Sequence, residues 1–80
     1  MIRDVLNKIL WDKNECSHDY VVTFIHRGAV GNRKTISFNS IVKIFSSYFV
    51  YSRENEEVYI PFHRIVEIKN VRTNRVTWKK

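Results

Sequence analysis

The sequence holds one cysteine, Cys16, so no disulfide can form within the chain, which fits a reducing compartment. It also lacks any apolar run near the roughly 18 residues of a membrane-spanning helix. Residues 1–11 mix Arg3, Asp4, Asn7 and Lys8 into their apolar positions, unlike a secretory leader. These absences lead us to expect a cytoplasmic protein with no membrane partner. A metal centre is not expected either: Cys16 and His18 have Cys-x-His spacing, but zinc takes three or four ligands and there is no second cysteine cluster. No cofactor is implied. At 80 residues the chain is one domain, residues 1–80, burying a little over ~60% of its unfolded surface. That allows a modest core and favours a shallow binding face over a deep cleft.

Acidic residues are missing from a long central stretch. Between Tyr20 and Arg53 there are five basic residues (Arg27, Arg33, Lys34, Lys43, Arg53) and no acid, and from His63 onward six basic residues stand against Glu67 alone. The net charge is +6. If the two basic segments share a face, that face attracts a polyanion, with affinity falling as salt rises. Nucleic acid is the natural partner class for such a face when aromatic residues and histidines accompany the charge.

The apolar pattern predicts the elements. Ile2, Val5, Leu6, Ile9 and Leu10 recur at helical spacing, giving an amphipathic helix that ends near residues 11–14, with Asp4 and Lys8 placed one turn apart. Tyr20-Val21-Val22-Thr23-Phe24-Ile25 is apolar on both faces and suits an interior strand covered by that helix. Gly28, Gly31 and Asn32 supply positive φ for a hairpin loop into a strand from Arg33 to Ser37. Tyr48 to Tyr51 and Val58 to Ile60 read as strands around a polar turn at residues 52–57. A last hairpin runs from Val66 to Asn70 and returns through Arg75 to Trp78, with Val76 and Trp78 on one face. The expected architecture is α+β: one N-terminal amphipathic helix packed on a curved antiparallel sheet of about six strands, free to curl towards a barrel.

A short echo lies within this pattern. Ile36-Ser37-Phe38-Asn39-Ser40-Ile41-Val42-Lys43-Ile44 matches Ile60-Pro61-Phe62-His63-Arg64-Ile65-Val66-Glu67-Ile68 at five of nine places. Each copy reads as a strand, a tight corner and a second strand. Pro61 lacks a ladder donor and fixes its own φ, so the strand before the second corner should stop at Ile60.

Two of the three histidines are followed at once by arginine, in His26-Arg27-Gly28 and His63-Arg64. Such a step joins a group that gains or loses a proton near neutral pH to a permanently charged planar fork, which suits a phosphate site. The first copy of the echo has Asn39-Ser40 at the matching places, so a role of His63 and Arg64 is not duplicated there. An alternative is structural, with both histidines capping strand ends and both arginines paired with acids.

The opening Met1-Ile2-Arg3-Asp4-Val5-Leu6-Asn7-Lys8-Ile9-Leu10-Trp11-Asp12, the segment Tyr20 to Gly28, the element Val58-Tyr59-Ile60-Pro61-Phe62-His63-Arg64-Ile65 and the closing Trp78 resemble a small, mostly archaeal family, uncharacterised protein family 0248. Its domain is known as the RNA cyclic group end recognition domain. The resemblance spans nearly the whole chain, and Ile-Pro-Phe-His-Arg-Ile is its most specific part. It implies binding of RNA ends that carry a 2′,3′-cyclic phosphate or a related processed group, in RNA repair or processing alongside protein partners, with His26, Arg27, His63 and Arg64 forming the end-binding site.

The chemistry is consistent with that expectation. A cyclic phosphodiester spreads one negative charge over two free oxygens, which the planar donors of Arg27 or Arg64 match. Lys34 is a possible accessory cation, and Tyr48, Tyr51 or Tyr59 can stack on a base wherever the fold exposes them. Two further readings stay open. Two histidines on either side of a cyclic phosphate could open the ring as acid and base, but Gly28 and Ile65 stand where two-histidine phosphoesterases carry hydroxyl residues. Alternatively, an open sheet edge could recruit a protein partner.

Overall fold

The computed structural model describes residues 2–12, 17–28 and 30–80. Cys16, the polar residues 13–15 and Ala29 of the glycine loop lie outside the described residues. The helix, α1 (Ile2–Trp11), buries Leu6 and Ile9 and packs Ile2, Val5 and Leu10 at the edge of the core. Asp4 in its first turn and Lys8 in its last both suit the helix dipole. Its main strand contact is with β3, not with the strand at residues 20–25 as its apolar stripe alone suggested.

Seven antiparallel strands follow among the described residues: β1 (Tyr20–Ile25), β2 (Arg33–Ser37), β3 (Ile41–Ile44), β4 (Tyr48–Arg53), β5 (Glu56–Pro61), β6 (Ile65–Asn70) and β7 (Arg75–Lys79). The α+β class holds, with the strands divided between two sheets, in the orders β2-β1-β6-β7 and β3-β4-β5, and no closed barrel. The echoed segments explain the division. Each contains a single 3-10 turn, Phe38–Ser40 in the first copy and Phe62–Arg64 in the second, and each turn carries the chain from one sheet to the other. Strands that switch sheets need such a corner.

Both corners are built alike. The phenylalanine that opens each one reaches the core, Phe38 fully and Phe62 in part, and the isoleucine that follows it is buried. The N–H of Ile41 donates to the Phe38 carbonyl and that of Ile65 to the Phe62 carbonyl. The chain is thus pinned at both ends of a two-residue step, and that step, Asn39-Ser40 or His63-Arg64, turns outward. Pro61 is the last residue of β5, one position beyond the expected stop, and its extended ψ of 145° feeds the second turn.

The inner faces meet in one core of Val22, Phe24, Phe38, Phe49, Tyr51, Ile60, Ile65 and Ile68, with Leu6 and Ile9 from the helix. Phe24 lies at its centre, its ring centroid 6.2 Å from Phe49 and 5.8 Å from Tyr51. β1 is the interior strand that its apolar run implies, but only Tyr20, Val22 and Phe24 are buried; its other face is partly open, and there Thr23 and Thr35 share a hydroxyl hydrogen bond of 2.8 Å.

The hairpins refine two further expectations. The β4–β5 turn is only Glu54-Asn55, both at positive φ (49° and 68°), with Arg53 paired to Glu56, so the polar run at 52–57 is mostly strand. In the last hairpin Ile68 pairs with Trp78 but Lys69 pairs with Val76, leaving Thr77 as a bulge. The extra residue breaks the alternation, so Trp78 packs against the core while Val76 is exposed, and the two do not share a face.

Candidate functional site

Antiparallel register gathers cationic side chains at one end of the four-stranded sheet. Phe24 pairs with Ile65, so residues just after β1 and those just before β6 project past the same end. Glu67 pairs with Lys79, and the Lys80 N–H donates to the Val66 carbonyl at 2.9 Å, which brings the end of β7 there too. The result is a cavity of about 300 Å³ lined by Ile25, Arg27, His63, Arg64 and Lys80.

Each wall has a local cause. Ile25 and Arg27 alternate with core-facing Phe24, so they turn away from the core. The glycine loop then reverses the chain, with Gly28 and Gly31 at φ of 93° and 70° and the His26 N–H donating to the Asn32 carbonyl at 2.9 Å. His63 and Arg64 are the outward step of the second corner, whose entry is fixed by the Phe62 N–H donating to the Ser47 carbonyl at 2.9 Å. Lys80 Nζ donates to the His63 carbonyl at 2.6 Å, tying the corner to the end of β7.

The lining contains the cationic side chains of Arg27, Arg64 and Lys80 and no acidic side chain. Among the described residues neither Arg27 nor Arg64 has a carboxylate partner, whereas Arg72 meets Asp19 at 3.5 Å. The two arginines therefore do not form the acid pairs of the structural alternative, and their guanidinium groups are open to solvent. Ile25, 40% exposed, gives the cavity one apolar wall. An exposed, concave cluster of planar donors with no competing acidic side chain suits a phosphate group.

The profile of the MJ1316 RNA cyclic group end recognition domain matches residues 1–80. The chain belongs to this family. Members of uncharacterised protein family 0248 match it along its length: one from Methanococcus vannielii is 42% identical over the whole chain and 92% of its own length. The MJ1316 protein of Methanocaldococcus jannaschii is 39% identical over the whole chain and 94% of its length, and a Saccharolobus islandicus protein 34% over 99% of the chain and 98% of its length. No solved structure matches the chain significantly.

Within this MJ1316-family domain the sequence-derived residues separate. Arg27, His63 and Arg64 share the cavity; His26 does not line it. The His26 ring instead lies edge-on to buried Phe24 at 6.4 Å. Alternation along the strand end accounts for this, since His26 follows Phe24 on the core side. Lys34 is also elsewhere, its Nζ 5.9 Å from the ring centroid of Tyr51. Tyr51 is 2% exposed and part of the core, so it cannot offer a ring face to a base. Tyr48 is half-buried and Tyr59 is 58% exposed, and neither lines the cavity. Ile25 and Lys80 were not foreseen as site residues; Lys80 is visible only as the last of a basic run. Among the described residues no group of three or more His, Cys, Asp or Glu side chains could hold a metal ion, and no helix is long and apolar enough to cross a membrane.

Proposed function

We propose that this domain binds RNA by a processed 3′ end, taking a 2′,3′-cyclic phosphate or a related terminal phosphate into the cavity of Arg27, His63, Arg64 and Lys80. The observation that carries the reading is the convergence of these residues, from three separate strand ends, on one cavity without an acidic side chain. The family's description as an RNA cyclic group end recognition domain points the same way. Arg27 and Arg64 supply planar donors for the two free oxygens, His63 a ring donor, and Lys80 charge; Ile25 offers an apolar wall to the ribose.

Ring opening by a histidine pair draws less support, because His63 is the one histidine in the lining. The test is a titration with one short RNA ending in a cyclic phosphate, a linear phosphate or a free hydroxyl. Tighter binding of the phosphate-bearing ends is expected, and an RNA that survives long incubation with its ring intact. Equal affinity for all three ends would leave general RNA binding and remove end recognition.

A further inference from the structure

The outward face of the three-stranded sheet carries a row of rings that the end-binding cavity does not use. Along β4, Phe49 and Tyr51 point into the core, so Tyr48 and Val50 point away from it, and Tyr59 stands opposite Val50 on β5. Phe45 stacks on Tyr48 with centroids 4.6 Å apart and planes at 18°, and Tyr59 lies next to the same Tyr48 ring at 5.6 Å and 30°. Lys43 Nζ sits 5.0 Å from the Phe45 centroid, so a cation closes one end of the row.

Packing explains part of this cluster. Val50 is only 3% exposed yet stands outside the main core, and a cover of side chains on this face accounts for its burial. Packing does not explain Tyr59, which ends the row 58% exposed. A ring that rests on another, itself stacked, and is open to solvent is a preformed stacking surface.

Its occupant can be argued from charge and position. The segment from Tyr20 to Arg53 that supplies Lys43, Phe45 and Tyr48 has no acid, in a chain of net charge +6. The Tyr48 end of the row lies beside the strand end that leads to His63. Tyr48 pairs with Pro61, which lies two residues before His63. Two backbone steps of ~3.8 Å and one cross-strand spacing of ~5.5 Å set a ceiling of about 13 Å between the Tyr48 and His63 Cα atoms. Moving away from the cavity, Glu57 faces outward opposite Ser52, so the acid-free surface ends just beyond Tyr59.

We propose that Tyr59, backed by Tyr48 and Phe45, is a stacking platform for an unpaired base of the RNA whose terminal phosphate occupies the cavity. The substrate class is then a single-stranded 3′ end and not a blunt duplex, whose bases are already stacked in the helix. This deepens, and rests on, the end-binding reading.

The test compares the wild type with Tyr59→Ala and Tyr59→Trp. The ligands are a single-stranded hexanucleotide and a mononucleotide sharing a 2′,3′-cyclic phosphate, the hexanucleotide with a free 3′ hydroxyl, and a blunt duplex with the cyclic phosphate. Tyr59→Ala should lose about 5- to 10-fold on the cyclic-phosphate hexanucleotide, within the range for one stacked base. It should lose less than that on the mononucleotide, whose single base is tied directly to the ribose that carries the phosphate. Tyr59→Trp should retain binding, and the duplex should bind more weakly than the hexanucleotide. Equal losses on hexanucleotide and mononucleotide, or no loss on either, would overturn the platform. If both hexanucleotides bind alike and both lose affinity in Tyr59→Ala, the platform stands and end recognition falls.

Discussion

Replacing Arg64 by alanine should remove about one order of magnitude of affinity for an RNA with a cyclic-phosphate end. Hydrogen bonds to a charged group contribute ~1.5–3 kcal/mol. Arg64 is exposed, so water and salt compete with the contact and the lower end applies. About 1.5 kcal/mol corresponds to roughly tenfold in Kd. Arg64→Lys keeps the charge but loses the planar fork, and should fall between the two, at about threefold. Fluorescence anisotropy on a labelled RNA at fixed salt near ~0.1 M measures the series. Lys8→Ala on the exposed side of α1 serves as the charge control, with a loss below about twofold. Among the described residues Arg64 has no ion pair and no side-chain bond to the fold, so thermal unfolding should stay within ~0.5 kcal/mol of wild type. The reasoning is refuted if Lys8→Ala costs as much as Arg64→Ala, or if Arg64→Ala weakens a hydroxyl-ended RNA equally.

Two further outcomes follow from residues outside the cavity. His26→Phe keeps an aromatic ring against Phe24 and removes nothing from the lining, so Kd for the cyclic-phosphate RNA should stay within about twofold of wild type; a tenfold loss in the same anisotropy assay would place His26 at the end after all. Glu54 holds a positive φ of 49° in the β4–β5 turn, which costs a non-glycine residue ~1–2 kcal/mol. Glu54→Gly relieves that cost against a smaller loss of chain entropy, for a net gain of ~0.5 kcal/mol and a Tm higher by a few degrees. A fall in Tm on thermal melting would mean that the Glu54 side chain stabilises the turn in some other way.

The sequence reveals most where a local rule decides the structure. The i, i+3, i+4 spacing of Ile2 to Leu10 yields the helix, and the echo of Ile36–Ile44 in Ile60–Ile68 marks both corners, because Phe and Ile at fixed spacing anchor a 3-10 turn wherever a core receives them. What the echo does not carry is that each corner changes sheet; that depends on pairing between strands far apart in the chain, such as β1 with β6. The bulge at Thr77 was hidden for a similar reason: one extra residue reverses the facing of Val76 without altering the alternating pattern. In the site, His63-Arg64 was legible because Pro61 and the flanking Phe62 and Ile65 force the step outward. His26-Arg27 looks like the same dipeptide but lies on a strand end, where alternation sends His26 towards Phe24 and Arg27 towards the cavity. Lys80 carries no motif at all; the register of β7 on β6 brings it to the site.

The most direct measurement is an NMR titration of the labelled protein with uridine 2′,3′-cyclic monophosphate, a single nucleotide that carries the cyclic end group. Backbone amide shifts concentrated at residues 25–28, 62–66 and 78–80, with saturable binding that Arg64→Ala weakens, are the predicted result. Shifts confined to the opposite end of the same sheet, around Asn70, Thr73 and Arg75, or spread evenly over the basic surface, would contradict the assignment of Arg27, His63, Arg64 and Lys80 as the RNA-end site.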